Sequence, residues 1–317
     1  MSSPEFDYSQ AFDRNIGWLT KHEQEKLRGI CVAIAGLGGA GGFQAQALAR
    51  LGVGKYRIAD PDTFEISNRN RQIGATESTV GHPKATTIRD MILAINPTAS
   101  VEIYPECFST ANAGAILESA DVAIDGIDFF SIDDKILFFQ ECRKRGIPAI
   151  TSCPLGFGAS LMVFSPQGMT FEDYFNFRPD MSEKDKRNSF AFGLSPSPLC
   201  LSYMNPDAFG SDNKRAASVV PGLMLVGALT ATEVVKLVTH MARPNSCPHV
   251  YQIDLMTQRV SKKYYRWGMR GPWMRCKKAL ALKWVEYKRR RHASNPSLAA
   301  SPPDEHKQTG SARHAVS

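Results

Sequence analysis

A glycine cluster, two cations and two acids carry the pattern in this chain that suits chemistry on a phosphate. Gly36-Leu37-Gly38-Gly39-Ala40-Gly41 is followed by Asp60, Asn68, Arg71, Gln72, Lys84 and Asp128. In a turn of this spacing Gly36 allows a sharp bend and Gly38 lets backbone N–H groups approach a phosphate. Gly41 lets the next helix pack close to the preceding strand. The helix that follows the turn offers unpaired N–H groups and a positive dipole end to an anion, and Gly39 is a further nucleotide-binding position of the turn. Asp60 stands about 20 positions past the turn, where a carboxylate accepts hydrogen bonds from a ribose. Arg71 and Lys84 add positive charge beside the turn, and Asn68 and Gln72 add polar groups. Two cations there suit a triphosphate, whereas a nicotinamide needs an apolar slot. Asp128 suits Mg²⁺, which binds through one or two carboxylates plus phosphate oxygens.

Each of these residues also has a plain reading. The turn can be a glycine-rich loop without a ligand, and Arg71 a surface cation. Lys84 can simply begin a helix, where a cation is mildly unfavourable. Asp128 can cap a helix. His82, His240 and His249 are scattered, and no metal site is expected from them.

The elements that must position these residues follow from hydrophobic pattern. Ile30 to Ala35 reads as a buried strand, Gly42 to Leu51 as a helix, and Tyr56 to Ala59 as a second strand. A helix is expected from Lys84 to Ile95, stopped by Asn96-Pro97. Val101–Tyr104 reads as a strand, 111–118 as a helix, Val122–Asp125 as a buried strand and 132–145 as a helix. Ala149–Ser152 and 159–164 read as further strands. Strands alternating with helices predict an α/β fold: a Rossmann-like, doubly wound, mostly parallel sheet with an antiparallel C-terminal extension. Residues 1–28 read as an N-terminal helical arm and 29–261 as the nucleotide-binding domain. Within that domain 171–217 reads as a long functional loop without assignable elements. A core helix is expected from Gly222 to Thr239. A hairpin of 249–254 and 258–261 follows. The tail 292–317, rich in Ser and Pro, reads as disordered.

Composition is that of an ordinary soluble globular chain, with 43% hydrophobic and 22% charged residues. The N-terminus has no basic region or apolar run, so no signal peptide is expected, and the chain reads as cytoplasmic. Its seven cysteines include no Cys-x-x-Cys pair, which argues against a disulfide framework or a four-cysteine zinc site. Net charge is +7, but 262–291 holds twelve Lys or Arg against one Glu. That segment is therefore +11 and the first 261 residues are mildly acidic.

Taken together, the glycine turn, Ser67-Asn68-x-x-Arg71-Gln72, Lys84 after Gly81-His82-Pro83, Asn96-Pro97 and Asp125-x-x-Asp128 resemble the ThiF/MoeB/HesA superfamily. These are the ubiquitin-activating-type adenylyltransferases. The resemblance covers about residues 10 to 261. It implies transfer of AMP from ATP·Mg²⁺ to a carboxylate, often a protein C-terminus, with release of pyrophosphate. By that resemblance Asp60 would bind ribose, and Asn68, Arg71 and Gln72 would bind phosphates. Lys84 would stabilise charge at the α-phosphate and Asp128 would hold the metal. Asp13-Arg14-Asn15-Ile16 resembles the family motif whose arginine completes a partner subunit's site. That implies a homodimer with Arg14 as arginine finger; its plain reading is a solvated helix residue. The chain departs from the family in lacking zinc cysteines and in having no cysteine between Asn213 and Pro221. No thioester step at that position is expected, and Cys153 or Cys200 would be the displaced nucleophile if there is one. The Asn-Arg-Gln-Ile segment also resembles the branch that activates and cyclises the threonylcarbamoyl group on tRNA. A catalytically silent nucleotide-binding scaffold of the same fold is a further alternative.

The basic segment 262–291 reads as a helix from Pro272 on, with Trp273, Leu280, Trp284 and Tyr287 roughly on one face. Lys277, Lys278, Lys283 and Lys288 cover much of the rest. Such a helix suits an anionic membrane surface, with peripheral localisation, or RNA. Its plain reading is an aromatic face packed on the body with solvated lysines.

Overall fold

In the computed structural model, residues 5–204 and 217–294 are described. Side chains at 285 and 288–294 lie outside that description, as do the expectations for 205–216 and 295–317. The strands are β1 (Cys31–Ala35), β2 (Lys55–Ala59), β3 (Ser100–Tyr104), β4 (Val122–Asp125), β5 (Ala149–Leu155), β6 (Gly158–Phe164), β7 (His249–Asp254) and β8 (Arg259–Tyr264). They form one sheet in the order β3-β2-β1-β4-β5-β6-β7-β8. The five strands from β3 to β5 run parallel, and β6 to β8 continue antiparallel.

Alternation along β1 divides the core. Val32 and Ile34 point to one face and Ala33 and Ala35 to the other, and all four are fully buried. A strand buried on both faces reads as a continuous apolar run, which is why Ile30–Ala35 is so legible. One face is covered by α2 (Lys21–Gly29), α3 (Gly39–Arg50), α4 (Lys84–Ile95) and α9 (Val220–Thr239). The other is covered by α5 (Ala113–Ile116), α6 (Ile132–Lys144), α7 (Phe171–Phe175) and α8 (Glu183–Leu194). The apolar helix α9 is long enough to cross a membrane, but half of it is buried here against α2, α3, β5 and β6. Ahead of β1 stand α1 (Tyr8–Ala11), a 3₁₀ turn Asp13–Asn15, and α2. Thr20 and Glu23 form a capping box at the start of α2.

Four expectations need correction. The stretch 171–217 is not a featureless loop, for it contains α7, α8 and a 3₁₀ turn Leu199–Ser202. Phe171, Tyr174, Phe175 and Phe190 are fully buried there, and Phe171 stacks on Phe139 at 4.2 Å. α7 is too short to show a period and α8 opens on charged residues with its apolar ones only in its second half; ring packing holds both. The helix expected over 111–118 is one turn, and Ser119 in a left-handed conformation lies just beyond its end. Lys262 to Tyr264 belong to β8, and the basic helix α10 spans Pro272–Ser294. Residues 292–294, expected to be disordered, close that helix.

Candidate functional site

The chain reverses its direction of building between β1 and β4, and ligands in open α/β sheets bind outside the strand ends at such a point. Here the strand ends touch through glycines. Gly36 has φ +87°, and a Cβ on it would sit 2.3 Å from the Gly126 carbonyl oxygen. A Cβ on Gly41 would sit 1.9 Å from the Gly36 carbonyl oxygen. Both positions therefore require glycine. Gly38 is the N-cap of α3 and brings no side-chain cap, so the first-turn amides face the crevice.

Asp60 is tied to this turn. Its Oδ2 accepts the Leu37 amide at 2.6 Å and its Oδ1 the Asp62 amide at 2.8 Å. Burial pushes its carboxyl above the usual range, opposed by those two bonds. Lys84 opens α4 with its side chain only 9% exposed, and its Nζ donates to Asp62 Oδ2 at 2.9 Å. The glycine turn, Asp60, Asp62 and Lys84 thus form one connected chain. Sequence reasoning passed over Asp62; a second carboxylate two residues after Asp60 was the available signal. The unfavourable placement of a cation at a helix start is offset here by that carboxylate.

Asn68 lies on a 3₁₀ turn, Ile66–Asn68, and is buried. Its Oδ1 accepts the Glu65 amide at 3.0 Å, and its carbonyl accepts the Arg71 and Gln72 amides. Gln72 reaches the glycine turn: its amide nitrogen lies 3.6 Å from where a Cβ on Gly38 would be. Gln72 Oε1 is buried with no hydrogen-bond partner, a costly state for a polar atom unless a ligand satisfies it. The Arg71 backbone borders Gly39, but its guanidinium folds back, donating to the Ser67 carbonyl at 2.7 Å and Asn70 Oδ1 at 3.0 Å.

Asp128 is exposed two residues beyond Gly126, and its Oδ1 accepts only the Phe130 amide at 3.3 Å. It does not cap α6, whose N-cap position is Ser131. Beneath its loop lies a buried pair. Lys135 Nζ donates to Asp125 Oδ1 and Oδ2 at 2.7 and 2.9 Å and to the Ile127 carbonyl at 2.7 Å. Thr151 Oγ1 donates to Asp125 Oδ2 at 2.9 Å. Lys135 was also missed by sequence reasoning; a lysine one helical turn into an apolar face was its signal.

Arg14 is exposed on its 3₁₀ turn, and no described hydrogen bond or ion pair joins it to the crevice. Trp18 beside it is 86% exposed. Burial pushes the Cys153 thiol up to about 12, with Lys135 pulling the other way, and raises Cys200 as well. Neither is a thiolate at neutral pH, so neither is poised as a nucleophile. Among the described residues no group of three or more His, Cys, Asp or Glu stands close enough to hold a metal ion. A hollow of about 260 Å³ lined by Gly29, Cys31, Arg57, Glu102 and Asp121 lies at the opposite ends of the strands, away from all these groups.

A ThiF family model matches residues 12–266. The tRNA threonylcarbamoyladenosine dehydratase of Bacillus subtilis (strain 168) is 39% identical over 142 residues, covering 44% of this chain and 55% of that protein. The sulfur carrier protein adenylyltransferase of Thermus thermophilus is 29% identical over 251 residues, covering 78% and 83%. Several curated relatives are matched over only about half of their length. Among solved structures, PaaA superposes with a TM-score of 0.61 at 21% identity, covering 83% of this chain and 77% of that one. Escherichia coli MccB crystallised with ATP gives 0.58 at 21%, covering 79% and 67%. At that identity the likeness concerns the fold.

Proposed function

The chain belongs to the ThiF family, and from that premise we propose that it transfers AMP from ATP to a carboxylate. The observation that carries this reading is the unsatisfied, buried Gln72 Oε1 at the glycine turn, joined there by the Asp60–Asp62–Lys84 chain. A phosphate-binding turn with a ribose-binding acid and a buried lysine suits a nucleoside triphosphate. E. coli MccB, a neighbour in fold, has been crystallised with ATP.

In this reading the first-turn amides of α3 hold phosphate oxygens, and Asp60 accepts from the ribose hydroxyls. The Gln72 amide meets the nucleotide with its free acceptor against a hydroxyl. A substrate carboxylate oxygen attacks the α-phosphorus. A P–O bond forms to it, the bond to the β-phosphate bridging oxygen breaks, and pyrophosphate leaves with that electron pair. Lys84 shares its Nζ between Asp62 and the α-phosphate oxygens, stabilising charge that grows in the transition state. Arg71 exchanges the Ser67 carbonyl for the phosphates, and Asn68 holds the turn that aims it. Asp128 would hold Mg²⁺, which supplies charge neutralisation on the phosphates when bound. Arg14 completes the site of a second copy, giving a homodimer, with Ile16 and Trp18 as apolar contacts beside it. No thiol takes part. In this reading the protein works in the cytoplasm.

ATP–pyrophosphate exchange tests this directly. Exchange that depends on one added carboxylate supports the reading; ATP binding without exchange under any carboxylate leaves the silent scaffold instead. A second reading has its own support, the 39% identity over 142 residues to a tRNA threonylcarbamoyladenosine dehydratase. There the carboxylate is carried by tRNA, so exchange would need modified tRNA and ignore peptides.

A further inference from the structure

The plain reading of α10 is overturned by its exposure. The helix docks through Met274, which is buried, and through Lys277, whose Nζ donates to the Pro196 carbonyl. Burial lowers both Lys277 and Lys278 from the ordinary lysine range. Two of the lysines, not the aromatic stripe, are turned into the body. Most of the stripe faces out: Trp273 is 75% exposed, Leu280 63% and Tyr287 59%, while Trp284 is more covered at 37%. Residues at i, i+7 and i+14 fall on one side of a 3.6-residue helix, so these three make a straight line about 21 Å long. Ahead of the helix in the chain, Trp267 and Tyr264 are exposed as well. Lys283, one helical turn from Leu280, is an exposed cation beside it, and Lys262, Lys263 and Arg266 are exposed cations of the same basic segment. Arg270 is engaged with Asp173 and is left out of this count.

We propose that this face of α10 is a docking surface for an anionic lipid bilayer. Charge complementarity argues for an anionic partner, since the positive charge of the chain is concentrated in this segment while the body is mildly acidic. The stripe argues for lipid over nucleic acid. Its midpoint is Leu280, which stacks on no base but buries well at the acyl boundary. Tryptophan and tyrosine on either side of it suit the headgroup level. A straight line of large apolar groups on a pinned helix meets a flat surface along its whole length. This surface is separate from the nucleotide crevice and does not depend on the reading of that crevice.

The test is flotation of the full chain with vesicles of phosphatidylcholine alone and of phosphatidylcholine mixed equally with phosphatidylglycerol. Binding to the mixed vesicles only is expected, with a blue shift of tryptophan emission and weakening as salt is raised. Trp273→Ser and Leu280→Ser should each lower the partition coefficient by about tenfold. Arg266→Ala and Lys283→Ala should each lower it roughly fivefold, about 1 kcal/mol. These side chains are exposed, and unchanged thermal unfolding confirms that the variants fold. No binding to the mixed vesicles overturns the proposal, as does equal binding to both. Retention on single-stranded RNA without vesicle binding, or self-association abolished by Trp273→Ser without vesicle binding, overturns it in favour of those partners.

Discussion

Replacing Lys135 by methionine isolates the pair that supports the Asp128 loop. The Asp125 side chain is fully buried and that of Lys135 is 5% exposed. Asp125 accepts from Lys135 through both oxygens, from Thr151, and from the Ile127 amide at 3.1 Å. The methionine keeps the volume but removes the ammonium, which also lies over the Phe190 ring at 5.5 Å, and leaves a buried carboxylate with two neutral donors. Removing one partner of a buried pair costs roughly 3–5 kcal/mol. In a domain of this size each kcal/mol moves Tm by roughly 2–4 °C, so Lys135→Met should lower Tm by roughly 6–20 °C. Asp125→Leu combined with Lys135→Met removes both charges and should recover most of that loss. The Ile127 carbonyl stays unbonded in both variants, so the loop that carries Asp128 loses its anchor. Pyrophosphate exchange should therefore stay low in the double variant even where stability returns. Thermal unfolding with exchange kinetics on both proteins reads these effects. A Tm drop under about 2 °C in the single variant would refute the reasoning, because a carboxylate abandoned in the core cannot be that cheap. So would full exchange activity in the stable double variant, because the lysine would then position nothing.

The other predictions concern the turn, pH, thiols and the second subunit. Gly41→Ala places a methyl 1.9 Å from a backbone oxygen and should abolish ATP binding in calorimetry, whereas Gly29→Ala, with open space around it and no left-handed backbone, should leave binding intact. Asp60 has a raised native carboxyl, so the native state holds its proton more tightly than the unfolded chain. Its contribution to stability is therefore most favourable at low pH and falls as pH rises past the ordinary carboxylate value of ~3.9. Urea unfolding of wild type and Asp60→Ala across acid to neutral pH should show the wild-type advantage shrinking; an advantage that grows would contradict it. Iodoacetamide at mildly alkaline pH should label the exposed Cys107 and Cys276 in the native protein and spare Cys153 and Cys200, as read by peptide mass mapping. Mixing Arg14→Ala with Asp128→Ala chains should restore part of the exchange activity each lacks alone; a fully active monomer would exclude the shared site.

What the sequence determined by itself is the local part of this protein. Strands buried on both faces leave uninterrupted apolar runs, so β1, β4 and β6 were legible. The glycine spacing carried its own geometry, because only a residue without Cβ fits where Gly36 and Gly41 meet backbone. Helix stops such as Asn96-Pro97 are equally local. The family followed from several such motifs in one order. Tertiary structure decided what depends on partners far along the chain. The aromatic residues of 171–194 form short helices only because α6 and the sheet offer them a ring-lined surface. Asp62 is set apart from other surface acids by Lys84, which folding brings to it from 22 residues away. Lys135 and Asp125 are polar residues in apolar patterns, and their pairing emerges only when α6 lies over the end of β4. On α10 periodicity aligns Trp273, Leu280 and Tyr287, but which side of a helix meets the body is set by where the body lies. Met274 and the lysine stems took that side, and those three were left facing out.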